Sequence, residues 1–386
     1  MTATPDEHQA LRQAIRGICA GYPGAYWRDL DRERRYPEAF VAAMTREGWL
    51  ASLIPEAFGG RGMRLTEASV ILEEIHRSGG NAAACHAQMY TMGALLRHGS
   101  DEQKTAWLPR IASGELRLQA FSVTEAEAGS DTTAIATTAT RDGDAYVIAG
   151  EKSWTSRVEQ SDLALVLART SPRDDSNRTH GLTLFLVDLR DARAQGTIAV
   201  APVETMLNYP TYRVSYRGLR VPTSGLIGEE GQGFRYILDG WNAERILLAA
   251  EAIGDGWWFL DKATAYANAR VVFGRPIGQN QGVAFPLARG YAALAAADLM
   301  RFRAAALFDA GEPCGPEANM AKLLAADASW ELANRCLDAY GGAGFVVDHD
   351  VERKFRETRL FQVAPVSTNL ILAYLSHTVL GLPRSY

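Results

Sequence analysis

Four stretches combine residue types that can do chemistry. In Asp239-Gly-Trp-Asn-Ala-Glu-Arg-Ile-Leu-Leu-Ala-Ala-Glu-Ala-Ile-Gly254, the apolar residues Ile246, Leu247, Ala250 and Ile253 keep helical spacing, with Asn242, Glu244 and Arg245 just ahead of them. Adjacent residues on a helix do not face each other, so Glu244 and Arg245 do not read as a simple ion pair. Glu244 is then either a solvated charge at a helix start or a carboxylate available to take a proton. In Phe121-Ser-Val-Thr-Glu-Ala-Glu-Ala-Gly-Ser-Asp131, Gly129 permits close backbone approach while Thr124 and Ser130 offer hydroxyls to a polar ligand. Gly150-Glu-Lys-Ser-Trp-Thr-Ser156 puts Trp154 and Ser156 two apart at a strand end, which suits a flat heterocycle as well as a plain core. Arg270-Val-Val-Phe-Gly-Arg-Pro-Ile-Gly-Gln-Asn-Gln281 supplies Arg270, whose fork of donors matches a diphosphate.

The elements that must position these residues fall into three blocks, expected at 1–118, 119–230 and 231–386. The first is helical, with periodic runs at Asp6–Cys19, Pro37–Gly48, Thr66–Arg77 and Asp101–Ser113, and a turn-rich connector from Leu53 to Gly62. The second shows short β-type runs at Ala145–Ile148, Leu163–Ala168, Leu182–Val187 and Arg213–Tyr216, with a polar loop from Thr170 to His180. No helical pattern interrupts them, so an antiparallel β domain is expected. The third returns to long Ala- and Leu-rich helices, expected as a four-helix bundle broken near Gly274 and Tyr340. The fold class is therefore α+β, mainly α.

At 386 residues and 47% hydrophobic content the chain has ample core for such an arrangement, and a net charge of -5 gives no reason to expect a nucleic-acid partner. Cys19, Cys85, Cys314 and Cys336 are scattered, which fits reduced thiols rather than a metal site or disulfide framework. With no signal segment at Met1–His8 and no apolar run of about 18 residues, a cytoplasmic protein without a membrane span is expected.

In this order and spacing the chain resembles the acyl-CoA dehydrogenase family. The resemblance runs from the Pro-Glu-x-x-Gly-Gly connector at Pro55 to the C-terminal helices, and its most specific motif is Val123-Thr-Glu-x-x-x-Gly-Ser-Asp131. It implies an N-terminal helical domain, a middle β domain and a C-terminal bundle, FAD between the last two, and a tetramer. By resemblance, Phe121, Val123, Thr124, Gly129, Ser130, Trp154 and Ser156 line the flavin, and Ser130 also touches substrate. Ser156 stands where Thr is common. Arg270, Phe273 and Gln281 match residues that contact a neighbouring subunit's FAD, and Gly341 and Gly342 match the adenine end. Asp338 replaces a Gln on that side.

The main departure lies in Arg356–Asn369. Relatives carry Tyr-Glu-Gly-Thr there with the Glu as catalytic base, but this chain has no carboxylate between Arg359 and its end. Direct counting puts Pro365 at the Glu position; one inserted residue puts Val366 there and Thr368 on the flavin-contacting Thr. The position's backbone N–H helps bind the thioester oxygen in the family, and proline has none, which favours Val366. A minority of the family, including isovaleryl-CoA and long-chain acyl-CoA dehydrogenases, carries its base just before an invariant Arg on the earlier helix. Glu244 and Arg245 match that pair.

The resemblance thus implies α,β-dehydrogenation of an acyl-CoA to the trans-2-enoyl-CoA, with Glu244 taking the α-proton and hydride passing to flavin N5. An electron-transfer flavoprotein is the family's usual acceptor. Asn242, Arg245, Val366 and Tyr90 are expected near the substrate. His86, Gln88 and Tyr90 are expected to make the acyl end of the cleft polar, favouring short, branched, cyclic or polar acyl groups. The alternatives are a carrier-protein-bound thioester, or a flavin relative that does not dehydrogenate, such as a desulfinase or monooxygenase.

Overall fold

A computed structural model describes residues 8–384. Six helices come first: α1 (Gln9–Cys19), α2 (Gly24–Glu33), α3 (Glu38–Arg46), α4 (Leu65–Arg77), α5 (Ala83–His98) and α6 (Asp101–Ala112). Local chemistry sets several of their ends. Ser100 takes the Gln103 N–H at 3.2 Å while Gln103 returns to the Ser100 N–H at 2.9 Å, a capping box that starts α6. The first N–H groups of α4 are instead taken by Asp309, far along the chain, at 2.8 and 3.1 Å.

The strands follow: β1 (Leu118–Ser122), β2 (Thr138–Asp142), β3 (Ala145–Ser156), β4 (Leu163–Arg169) and β5 (Leu182–Asp188). A short helix α7 (Leu189–Ala194) precedes β6 (Ile198–Pro202), β7 (Thr211–Pro222) and β8 (Leu226–Ile227). They form one sheet in the order β6-β7-β3-β2-β4-β5-β8, with β1 added alongside β4. Two features depart from expectation. α7 does interrupt the strands, started by the Asp188 carboxylate on the Arg190 N–H at 2.9 Å, and it is too short to leave a periodic pattern. The sheet is also not wholly antiparallel, because β1 runs parallel to β4 and β2 touches β4 in parallel. The 40-residue stretch 123–162 between β1 and β4 gives the crossover length a parallel pair needs. β4 is buried along its whole length, which is why Leu163–Ala168 reads as an unbroken apolar run.

The C-terminal block is built on α8 (Gly233–Ala269), α9 (Gln281–Asp309) and α10 (Gly315–Tyr340), with the small hairpin β9 (Val271–Val272) and β10 (Arg275–Pro276) between the first two. Among the described residues, a fourth long helix does not form. The chain instead lays down α11 (Val351–Thr358) and α12 (Thr368–Tyr374). Pro365 lacks the N–H that a continuous helix would require there. α9 is long and apolar enough by length and composition to cross a membrane, with a window of mean hydropathy 1.2, although Arg289, Asp298, Arg301 and Arg303 interrupt the helix. One face of α9, however, carries buried Arg301, bonded to Asp298, to Glu73 of α4 at 2.8 Å and to Ser69 at 2.7 Å. A fully buried, paired arginine shows that this one face packs inside the protein.

α8 packs on α4 and α5 as well as on its own bundle, so it ties the two helical blocks together. The α4 contact depends on Gly254. A Cβ there would lie 2.4 Å from the Glu73 carbonyl oxygen and 2.7 Å from His76 Cβ. Gly254→Ala should therefore force the helices apart and cost about 1–3 kcal/mol, read as a lower midpoint in chemical denaturation. An unchanged midpoint would show that the close approach is not needed.

Candidate active site

The Phe121–Glu125 and Glu151–Ser156 motifs lie side by side. The Ser153 N–H donates to the Thr124 carbonyl at 2.8 Å, and buried Lys152 donates to the Val123 carbonyl at 2.9 Å and to Glu125 at 2.8 Å. Glu125 also takes the N–H groups of Ala136 and Thr137 at 2.6 and 3.0 Å, which closes the loop that holds Gly129 and Ser130. Burial would raise the Glu125 carboxyl, but Lys152 holds it below its ordinary value; burial pushes Lys152 down to about 8 despite that partner.

Strand alternation decides which side chains these motifs show. Ser122 and Thr155 point inward and share a hydrogen bond of 3.0 Å, backed by the Tyr216 hydroxyl at 2.9 Å. Phe121, Val123, Trp154 and Ser156 are therefore left on the opposite faces. Trp154 is 58% exposed, with a left-handed φ of 60°. Arg157 repeats that conformation at φ 56°, and two such non-glycine residues at one strand end mark a turn held for a purpose. The Ser156 hydroxyl reaches Thr211 at 3.3 Å, and Ser130 and Gly129 are exposed at a loop tip.

Glu244 lies near the start of the buried part of α8 and is only 6% exposed. No hydrogen bond or ion pair engages it among the described residues. Burial is the main influence on its carboxyl, only partly offset by His86, Arg245 and Lys322, and pushes it up to about 7. Arg245 turns away: its Nη1 donates to Asn242 at 3.2 Å, and burial lowers it. Lys322 of α10 donates to the Val366 carbonyl at 2.7 Å while lying within electrostatic reach of Glu244, which brings the Val366 segment toward the same place. Burial also pushes Lys322 down to about 8. Thr368 turns its hydroxyl back to the Gln362 carbonyl at 3.2 Å.

Below Glu244 on the same stripe of α8 come Glu251 and Asp255, at helical spacing. His86 of α5 bonds Glu251 through Nδ1, and His76 of α4 lies 3.1 Å from Glu251 and 2.7 Å from Asp255. Lys354 of α11 completes the chain on Asp255. Burial alone would raise Glu251, but His86 and His76 hold it down to about 2. Two carboxyls on one helix face are thus driven apart, and only Glu244 is left near neutrality.

The polar acyl-end residues separate. Tyr90 and His86 share a face of α5, with rings 5.1 Å apart, and Tyr90 also meets Phe121 at 5.9 Å. Burial, with Glu244 nearby, raises the Tyr90 hydroxyl. Gln88 does not join them. It lies two residues along, on the other side of the helix, and donates to the Leu50 carbonyl at 3.4 Å. A cleft of about 240 Å³ borders Tyr90, Gly93, Ala243 and Leu247, between α5 and α8.

Another expected group lies elsewhere. Arg270, Phe273 and Gln281 sit at the far end of α8 and the start of α9, with Phe273 101% exposed at a left-handed φ of 51°. Gly341 and Gly342 follow α10, exposed, with Gly341 at φ 56°. Sequence reasoning missed Lys152, Lys322 and the His76–His86–Glu251 cluster. The signal for the last was available, since Glu251 and Asp255 break an otherwise apolar helical run at core-facing positions.

Models of the acyl-CoA dehydrogenase N-terminal, middle and C-terminal domains match residues 5–115, 120–218 and 231–365. Acyl-CoA dehydrogenase FadE12 of Mycobacterium tuberculosis is 34% identical over 386 residues, covering 99% of this chain and 98% of its own. The mitochondrial short-chain specific acyl-CoA dehydrogenase of Bos taurus is 32% identical over 365 residues, covering 93% and 86%. A structure of glutaryl-coenzyme A dehydrogenase in complex with glutaryl-CoA superposes with a TM-score of 0.90 at 28% identity, over 100% of this chain and 98% of the other.

The Glu244 environment has a consequence for stability. A carboxyl raised from 4.5 to about 7 in the folded state contributes stability that is fully present below pH 4.5 and lost as pH rises through about 7. At about 1.4 kcal/mol per pKa unit, Glu244→Gln should therefore exceed the wild type by about 3 kcal/mol at about pH 8, and by far less at about pH 4.5. Urea denaturation at the two pH values measures this, and an equal difference at both would contradict the assignment.

Proposed function

The chain belongs to the acyl-CoA dehydrogenase family, and on that premise we propose that it dehydrogenates an acyl-CoA thioester with Glu244 as the base. The observation that carries this reading is Glu244 itself: buried, unpaired and poised near neutrality, where a general base works best. The family is one of FAD-dependent flavoproteins. The strip formed by Phe121, Val123 and the exposed face of Trp154 fits a flat ring, and the hydroxyls of Thr124 and Ser156 fit its polar edge. When bound, FAD supplies a hydride acceptor at N5.

The protein's part is positional and electrostatic. The backbone at Val366, anchored by Lys322, offers an N–H to the thioester oxygen, which draws charge off the carbonyl and acidifies the α-hydrogen. Glu244 takes that proton on its carboxylate. The β-hydrogen departs as hydride, leaving a trans-2-enoyl thioester. His86 and Glu251 stay paired beneath Glu244; His86 restrains the rise of its carboxyl while Glu251 adds to it, and neither meets the α-carbon. The cleft beside Tyr90 suits the acyl group, with an electron-transfer flavoprotein as the acceptor that returns the cofactor to its oxidised state.

The reading includes an oligomer, a tetramer by family resemblance. Arg270 lies about 39 Å from Glu244 along α8 at about 1.5 Å per residue, so one chain does not bring both to the same end of a cofactor. Exposed Phe273, Phe285, Tyr291 and Leu299 on the hairpin and α9 supply apolar surface for a second copy.

Two outcomes are expected. Glu244→Gln should retain bound FAD, while its reduction by acyl-CoA, followed by flavin bleaching, falls about 10²–10⁴-fold; bleaching at near wild-type rate would place the base elsewhere. Arg270→Ala should lower FAD content and weaken assembly together, measured by absorbance of size-exclusion fractions. Full FAD content in a variant of unchanged size would remove Arg270 from the cofactor site.

A further inference from the structure

Arg157 is 4% exposed, yet among the described residues its guanidinium has no carboxylate partner. Most other deeply buried cations meet a carboxylate, Arg301 on Glu73, Arg353 on Glu357, Lys354 on Asp255 and Lys152 on Glu125, while Lys322 and Arg169 donate to backbone carbonyls instead. Arg157 has only phenols around it. It stands over the Tyr209 ring at 4.9 Å, with Tyr90 and Tyr36 nearby, and its Nε meets no acceptor. Tyr209 and the neighbouring phenols favour its charged form against burial, but no carboxylate among the described residues neutralises it.

The same residue lines a cavity with Tyr36, Asn81, Ala84, Asn208 and Tyr209. Two acids also border it, but each is engaged: Asp31 by Arg356 at 2.7 Å and Glu357 by Arg353 at 2.9 Å. The start of α5 opens into this space. Its cap residue is Ala82, which has no side chain to offer, and Asn81 takes only the Ala83 N–H, at 2.9 Å. The Ala84 N–H has no acceptor among the described residues. Unfilled first-turn N–H groups and the positive end of a helix attract anions, and here they converge with an independent guanidinium that, among the described residues, has no carboxylate partner and an Nε without an acceptor.

We propose that this cavity is an anion site that receives a carboxylate, held by Arg157 and the open first turn of α5. The carboxylate has two possible sources: the far end of the acyl chain, or a separate small carboxylate. The first rests on the dehydrogenase reading. It is favoured by position, because Arg157 directly follows Ser156, and Tyr90 lies within electrostatic reach of both Arg157 and Glu244.

The test uses FAD-loaded wild type, Arg157→Gln and Arg157→Lys. In one arm, flavin bleaching by adipoyl-CoA is compared with that by hexanoyl-CoA, and the ratio of the two rates is read. In the other, succinate is titrated by calorimetry and by its effect on the melting temperature, without turnover. If the acyl chain brings the carboxylate, the wild type should prefer adipoyl-CoA, and the ratio should fall at least about tenfold in Arg157→Gln, the size of a lost charge-assisted hydrogen bond. If the anion is separate, succinate should raise the melting temperature of the wild type but not of Arg157→Gln. In both cases Arg157→Lys should fall between them. The proposal is overturned if the wild type shows neither an adipoyl-CoA preference nor a response to succinate, which makes Arg157 a stacked core residue. These wild-type readings hold even if Arg157→Gln fails to fold. Bleaching by no acyl-CoA at all would defeat the dehydrogenase reading, and the succinate arm would still decide the anion site.

Discussion

The structure depends on how one stripe of α8 buries three carboxylates. Glu244, Glu251 and Asp255 follow one another down a face that is otherwise Ala, Leu and Ile, and burying an ionised carboxylate without a partner is costly. Two of the three are compensated from other parts of the chain: Glu251 by His76 and His86, and Asp255 by His76 and Lys354. These contacts require α4, α5 and α11 to dock on α8 at fixed positions. The N-terminal helices are thereby joined to the bundle by specific charge pairing as well as by apolar packing, and Gly254 supplies the close approach that the pairing needs. Glu244 is the member left without a partner. Its position near neutrality is the local cost of an otherwise well-compensated stripe, and it is also what makes it useful.

The β domain meets a similar constraint. Lys152 is fully buried, and its ammonium joins the two motifs by bonding Val123 and Glu125. Ser122 and Thr155 then turn inward together, which leaves Phe121, Val123, Trp154 and Ser156 to form an outer strip. The strip is shaped by inward hydrogen bonds and by left-handed turns at Trp154 and Arg157. It faces the bundle through Tyr90, whose ring meets Phe121 on one side and His86 on the other. Tyr90 thus connects the sheet to the carboxylate stripe.

Much of this was legible in the sequence where a single periodic pattern settles the structure. Ile246, Leu247, Ala250 and Ile253 announced α8, and the unbroken apolar run Leu163–Ala168 announced β4. The parallel placement of β1 was not legible, because strand pairing depends on where a distant segment returns. Gln88 was misplaced for a simpler reason: two residues along a helix is nearly the opposite side, so it could not share the face of His86 and Tyr90. The partners of Glu251, Asp255 and Lys152 come from far along the chain, and no local pattern shows them. Glu244 could be singled out only against the family's motifs. Its isolation from Arg245 was readable from helix geometry, whereas its burial and the nearby Lys322 required the fold.

The central claim is that one unpaired carboxyl, Glu244, controls proton abstraction. Its most direct test is the pH dependence of flavin bleaching by sub-saturating acyl-CoA, which reports the free enzyme's base, followed from about pH 5.5 to 9 in wild type and Glu244→Gln. The account predicts that the wild-type rate rises with pH through one deprotonation near 7, and that the residual rate of the variant lacks that step. The same step surviving in Glu244→Gln would mean that another group is the base.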